Sequence, residues 1–203
     1  MRSRRSYAPR MPPAERREQI LDTALALTAT GGVASVTMEA VAEAAKVTKP
    51  VVYGAFPNAD AVLAALIDRE QDRGLALMLD SLPTDTDTDD PVALARTGVE
   101  TFFAGVRDSP IRWRLLLTPD NLPEGARLRF SETRDFMIAQ FTVLCEWAMD
   151  FRRSGPMDPV LLAHLFVGAM EMGARLILDR PEDYTAELMS DFAVEIVRSV
   201  LEA

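Results

Sequence analysis

A single cysteine, Cys145, and a single histidine, His164, leave this 203-residue chain unable to form an internal disulfide or a zinc site of the usual Cys/His kind. The lone thiol fits a reducing compartment. No glycine-rich phosphate loop occurs, and no histidine-based constellation for nucleophilic catalysis stands out. The chain therefore reads as a non-enzyme, with no catalytic residue, no metal and no cofactor assigned. The N-terminus, Met1-Arg2-Ser3-Arg4-Arg5-Ser6-Tyr7, lacks the apolar core of a signal peptide, so a cytoplasmic protein is expected. The longest apolar stretch, Pro159 to Met170, contains His164 and is closed by Glu171; this is shorter than the roughly 20 residues of a membrane span. No membrane partner is expected. Alternating polar and apolar runs are missing too, which predicts an all-α fold.

What is present is an ordinary globular composition, 48% apolar and 26% charged, in a chain long enough for a small head and a larger body. The net charge of -9 is unevenly spread. Residues 1–58 carry eight Lys/Arg against five Asp/Glu, while the remaining 145 carry fourteen against twenty-six. This asymmetry suggests a head that approaches phosphate and a body that does not.

The pattern divides into a basic arm over 1–13, a helix-turn-helix unit over 14–58 and a helical body over 59–203. The arm holds Arg2, Arg4, Arg5 and Arg10 together with Pro9, Pro12 and Pro13. Ile20, Leu21, Ala24, Leu25 and Leu27 then form a helical stripe that stops at Gly31-Gly32. Thr37 caps a short helix with Met38, Val41, Ala42 and Ala45 on its apolar side. After a break near Lys46-Val47, Thr48 offers a second cap and Pro50 falls in the first turn of a third helix that ends before Pro57. Asn58 caps a fourth, whose stripe runs through Val62, Leu63, Leu66, Ile67, Leu75 and Leu79. Further helices are predicted at about 92–108, 110–118, 124–153, 158–180 and 183–202, set off by prolines and Gly155. Between them, Asp85, Asp87 and Asp89 have calcium-loop spacing. The expected glycine is Asp90 and the expected glutamate is Arg96, so a calcium site is rejected.

Two short capped helices joined by a tight turn are what groove reading requires: one braces on the backbone while the next lies in the groove. Lys49 and Tyr53 lie one turn apart on the third helix, where an ammonium and a phenol can reach phosphate oxygens. Thr37, Lys46, Thr48, Pro50 and the arm residues Arg4, Arg5 and Arg10 complete the candidate DNA-binding set. The stretch from Val36 to Asn58 resembles the head of the tetracycline-repressor (TetR) family: Val41-Ala42, Val47-Thr48, Tyr53, Phe56 and Leu63 stand where that family's pattern expects them. Three positions depart from it. Lys46 replaces a turn glycine, Gly54-Ala55 replaces a bulky polar pair, and Ala59 replaces a lysine, which removes two expected phosphate contacts.

The resemblance implies a ligand-responsive repressor that binds a near-palindromic operator as a dimer through its last two helices. The residues permit this. Leu188, Met189, Phe192, Ile196 and Val200 make a wide stripe on the final helix, and Gly168, Gly173 and Ala174 allow close approach on the one before. Nine of the fourteen aromatics fall between Phe102 and Phe166, so an effector cavity belongs there. Its candidate lining is Phe102, Phe103, Val106, Trp113, Leu116, Phe136, Met137, Gln140, Phe141, Leu144, Trp147 and His164. Glu171 and Arg175 read as an i, i+4 pair. The alternative function is a small-molecule binding or interaction protein whose head no longer grips DNA.

Overall fold

The computed structural model describes residues 11–81, 90–117 and 124–203; all regular structure among them is helical. The arm residues Arg4, Arg5 and Arg10 and the acidic Asp85, Asp87 and Asp89 lie outside the described residues. The chain forms two compact units that divide between Leu66 and Ile67, inside one helix.

The first unit contains α1 (Pro13–Gly31), a 3₁₀ turn (Val33–Ser35), α2 (Met38–Ala44), α3 (Lys49–Ala55) and the start of α4 (Ala59–Ser81). Gly32 leaves α1 at φ 65°, a conformation that favours glycine. Thr37 Oγ1 accepts from Ala40 N–H at 3.1 Å, and Asn58 Oδ1 accepts from Ala61 N–H at 2.8 Å, so α2 and α4 open on side-chain caps. The third expected cap differs. Thr48 precedes α3, but its hydroxyl makes no capping bond, because the rigid Pro50 ring occupies the first turn and already lacks the N–H of that position. Ile20, Val41, Val52 and Phe56 are buried; fully burying side chains of this size contributes about 1.5–3 kcal/mol each.

The second unit holds the rest of α4, then α5 (Pro91–Asp108), α6 (Pro110–Leu116), α7 (Glu124–Met149), α8 (Pro159–Asp179) and α9 (Ala186–Glu202). α5 packs on α8 and α9, and α7 packs on α8. Asp90, Asp158 and Thr185 cap α5, α8 and α9. Helix positions match the sequence reading and the ends move by a few residues: α7 stops at Met149, and Thr185 delays α9 to Ala186. The α4 stripe is shorter than expected. Leu75 is half-buried and Leu79 exposed, while Glu70 and Gln71 take buried places.

Gly173 and Ala174 also differ from expectation. A β-carbon at Gly173 would stand 2.7 Å from the Phe103 ring and 3.1 Å from Met189, and Ala174 is fully buried. Both serve close packing within the unit, whereas a β-carbon at Gly168 would meet open space. By length and composition α8 is apolar enough to cross a membrane, since it continues past Glu171 to Asp179. A third of its apolar window is packed inside the unit, and Glu171 is paired there with Arg134.

Candidate functional site

The first unit places Lys49, Pro50 and Tyr53 on one short, exposed helix. α3 spans seven residues, about 10 Å at 1.5 Å per residue, a little shorter than the nine-residue segment the sequence suggested. Val52 faces the core, which turns Lys49 and Tyr53 outward; Tyr53 is 52% exposed. Thr37, Lys46, Thr48 and Pro50 are exposed as well. The turn between α2 and α3 is made at Lys46, whose φ of 55° puts a lysine in the left-handed region where the resemblance expected glycine. Lys49 Nζ lies 2.6 Å from Glu39 Oε1 of α2, and this hydrogen bond from Lys49 holds the Glu39 carboxyl below its ordinary range.

A residue outside the candidate set anchors this arrangement. Arg17 of α1 lies with its guanidinium 4.0 Å over the Phe56 ring and donates to the Ala55 carbonyl at the C-terminal end of α3. Gln19 donates to the Ala45 carbonyl beside the turn. The sequence showed Arg17 only as one of several basic residues near the N-terminus.

The second unit holds a partly open cavity of 710 Å³ with a mainly apolar wall, which runs out to the exposed Leu165, Met172, Phe192 and Ile196. Eight expected residues line it: Phe102, Phe103, Trp113 and Leu116 from α5 and α6, with Met137, Phe141, Leu144 and Trp147 from α7. Their rings meet edge on, Phe102 with Trp113 at 5.1 Å and Phe102 with Phe103 at 5.2 Å between centroids.

Four expected residues are not in the lining. Phe136 and Gln140 stand one position before Met137 and Phe141, about 100° around α7, and Phe136 is exposed. Val106 is fully buried in the core beyond the cavity, and His164 is exposed on α8. Glu171 pairs with Arg134 of α7 at 2.8 Å instead of Arg175, which donates to the Leu117 carbonyl. An interhelical partner at hydrogen-bond distance outcompetes the i, i+4 neighbour.

Sequence reading missed the buried polar end of the unit. Glu70 is fully buried and receives Arg112 at 2.7 Å, Arg69 at 2.9 Å and Arg73 at 3.1 Å. Gln71 is 4% exposed and lines the cavity. The available signal was Arg69-Glu70-Gln71 interrupting the apolar stripe of α4. Cys145 lines the cavity too, and burial pushes its thiol up to about 11. Among the described residues, no group of three or more His, Cys, Asp and Glu is placed to hold a metal ion.

Residues 20–66 match the family described as "Bacterial regulatory proteins, tetR family". A curated relative, the HTH-type transcriptional regulator EthR of Mycolicibacterium smegmatis, is 33% identical over 112 residues, covering 54% of this chain and 48% of the relative. The match thus spans about half that protein's length. A TetR-like transcriptional regulator from Rhodococcus sp. RHA1 superposes over 93% of this chain and 97% of its own with a TM-score of 0.77 at 24% identity. AibR, solved in complex with isovaleryl coenzyme A and operator DNA, superposes over 89% of this chain and 97% of its own with a TM-score of 0.71 at 22% identity.

Proposed function

From the match of its residues 20–66 to the tetR family of bacterial regulatory proteins, we propose that this chain is a ligand-responsive DNA-binding transcriptional regulator. It acts in the cytoplasm as a repressor on a near-palindromic operator and is released by a small, largely apolar or aromatic effector. Residues 14–58 read DNA, residues 59–203 bind the effector and pair the two copies, and Arg4, Arg5 and Arg10 of the arm reach the adjacent backbone or minor groove.

The observation that carries the reading is the outward placement of Lys49 and Tyr53 on α3, braced by α2 and Arg17. An exposed cation and phenol one turn apart, on a helix of groove-entering length, suit phosphate contacts that set register while the helix meets base edges. The α2–α3 surface adds the exposed Thr37, Lys46, Thr48 and Pro50. The effector occupies the 710 Å³ cavity, within the range of small-molecule pockets. AibR, which shares the fold, was solved with both a small molecule and operator DNA.

The second copy docks on α8 and α9. Leu161, Leu165 and Met172 on α8 and Leu188, Phe192 and Ile196 on α9 are all exposed, Leu165 to 69%. Large apolar side chains massed in this way mark an association surface. A two-fold dimer presents two α3 helices about 34 Å apart, one turn of DNA. Effector binding loosens the operator only through its differential affinity for two arrangements of the dimer.

Selection of bound fragments from random duplex DNA at about 0.15 M salt tests the reading, because non-specific attraction is partly screened there. A near-palindromic consensus is expected. Lys49→Ala weakens binding to all sequences and lowers the salt slope by about 1, and Tyr53→Phe weakens it further. No enrichment by folded, dimeric, ligand-free protein would leave the head without a DNA-reading role.

A further inference from the structure

The cavity wall contains three buried polar atoms that nothing in the described structure satisfies: both amide atoms of Gln71, Oε1 and Nε2, and the indole Nε1 of Trp113. The two residues are 4% and 5% exposed. Trp113 also packs against α4, the helix that carries Gln71. A β-carbon at Gly74, one turn beyond Gln71 on the same face of α4, would stand 3.9 Å from the Cη2 atom of Trp113 and 3.2 Å from Leu116. The absence of a side chain at Gly74 lets the Trp113 ring come up against α4.

Unsatisfied buried donors and acceptors are rare in native proteins and need a cause. Here they share one cavity wall that is otherwise almost wholly apolar. The charged residues of that wall, Arg134 and Glu171, neutralise one another at 2.8 Å. The Glu70 carboxylate is engaged by three arginines, and none of those four residues lines the cavity.

We propose that Gln71 and Trp113 form the polar end of the effector site, and that the effector is a neutral molecule with one planar group, carrying both an acceptor oxygen and an N–H or O–H donor, on an apolar body. An unsubstituted carboxamide, which has an N–H on the same side as its carbonyl oxygen, is the simplest such group. Its carbonyl accepts from Trp113 Nε1 and Gln71 Nε2, and its N–H donates to Gln71 Oε1. Either orientation of the Gln71 amide leaves it one donor and one acceptor to offer. Among the described residues of the wall an anionic head would find no unpaired cation, and it would have to be desolvated there. This inference rests on the effector reading of the cavity and narrows it to one chemical class.

Calorimetry of the full-length protein with octanamide and N,N-dimethyloctanamide tests it. The two share the carbonyl and the chain, and only the first can donate. Octanamide is expected to bind about tenfold or more tightly than the dimethyl form, and Gln71→Leu should bring the two together. Trp113→Phe, which keeps a ring against Phe102, should weaken both amides while leaving some preference for octanamide. Gln71→Leu should also raise the Tm of the ligand-free protein, since it removes two unsatisfied atoms from a buried position. Equal binding of the two amides to the unaltered protein, an undiminished preference in Gln71→Leu, or no binding of octanamide overturns the proposal. Operator affinity measured with and without octanamide separates the two readings. Gln71-dependent discrimination without any change in operator affinity upholds this site and overturns the release mechanism.

Discussion

In the first unit the polar side chains assigned a function stand in water: Lys49, Tyr53, Thr37 and Thr48 are all exposed around α3, and the apolar residues beneath them simply pack. In the second unit polar groups are shut away: Glu70 lies fully buried among three arginines, and Gln71 and Trp113, in the wall of a cavity, hold unsatisfied atoms out of solvent. An exposed charge is adjustable, because water screens it and its loss costs little folding energy. A buried one is tied to stability, because removing a partner strands the other without solvent. The two units therefore place function at different distances from stability. A head surface can change its target without unfolding, whereas the polar end of the cavity changes under the constraint of the fold.

The strongest way to break this contrast is at Glu70. Glu70→Ala leaves Arg112, Arg69 and Arg73 without their shared carboxylate and should destabilise the protein by about 3–5 kcal/mol in denaturant unfolding. A loss as small as that of an exposed ion pair would mean that water already reaches the cluster.

Cys145 sharpens the contrast from the cavity side. With its thiol held up at about 11 by burial, alkylation at pH 8 should run about a hundredfold slower than that of an exposed cysteine. Folding favours the protonated thiol. Its contribution is therefore whole below about pH 9, the ordinary thiol range, and lost as pH rises through about 11. Labelling as fast as that of a free thiol would show the cavity wall opening on the labelling timescale.

Among the described residues of the first unit, Lys46 is the one non-glycine with a left-handed backbone. At φ 55°, Lys46→Gly should stabilise by about 1 kcal/mol, read as a higher Tm, with α2 and α3 unchanged. If the substitution lowers stability, the lysine side chain supports the turn in a way that outweighs its backbone cost.

The smallest effect belongs to Glu39. Its ion pair with Lys49 is exposed, so Glu39→Gln should leave the Tm close to that of the parent. The released Lys49 should tighten DNA binding a few-fold, as a direct titration with duplex would show. The carboxyl is held low by Lys49, so the same release occurs only when pH falls below the ordinary carboxylate range. Unaltered DNA affinity in Glu39→Gln would mean that the pair opens at no cost when DNA arrives, or that Lys49 does not touch phosphate.

The sequence was most readable where short-range rules decide. Caps at Thr37 and Asn58, the stop at Gly31-Gly32 and the proline-bounded helices of the body depend on residues a few positions apart, and each stands where local pattern put it. The cavity was partly readable for the same reason. Met137, Phe141 and Leu144 lie at helical spacing and line it together, while Phe136 and Gln140, one position away, needed the phase of α7 to be known before they could be set aside.

What the chain determined by itself is therefore its helices, their order and the exposed chemistry of α3, because backbone hydrogen bonding and side-chain period act within single elements. Tertiary structure alone decided that Arg17 clasps the end of α3, that Glu171 meets Arg134, that Arg112 joins Arg69 and Arg73 on Glu70, and that Gln71 and Trp113 line one cavity with unsatisfied polar atoms. Apart from Arg69 and Arg73, which share α4 with Glu70, each of these joins helices far apart in sequence. Coulomb attraction, burial and hydrogen-bond satisfaction act between surfaces that exist only once those helices have packed.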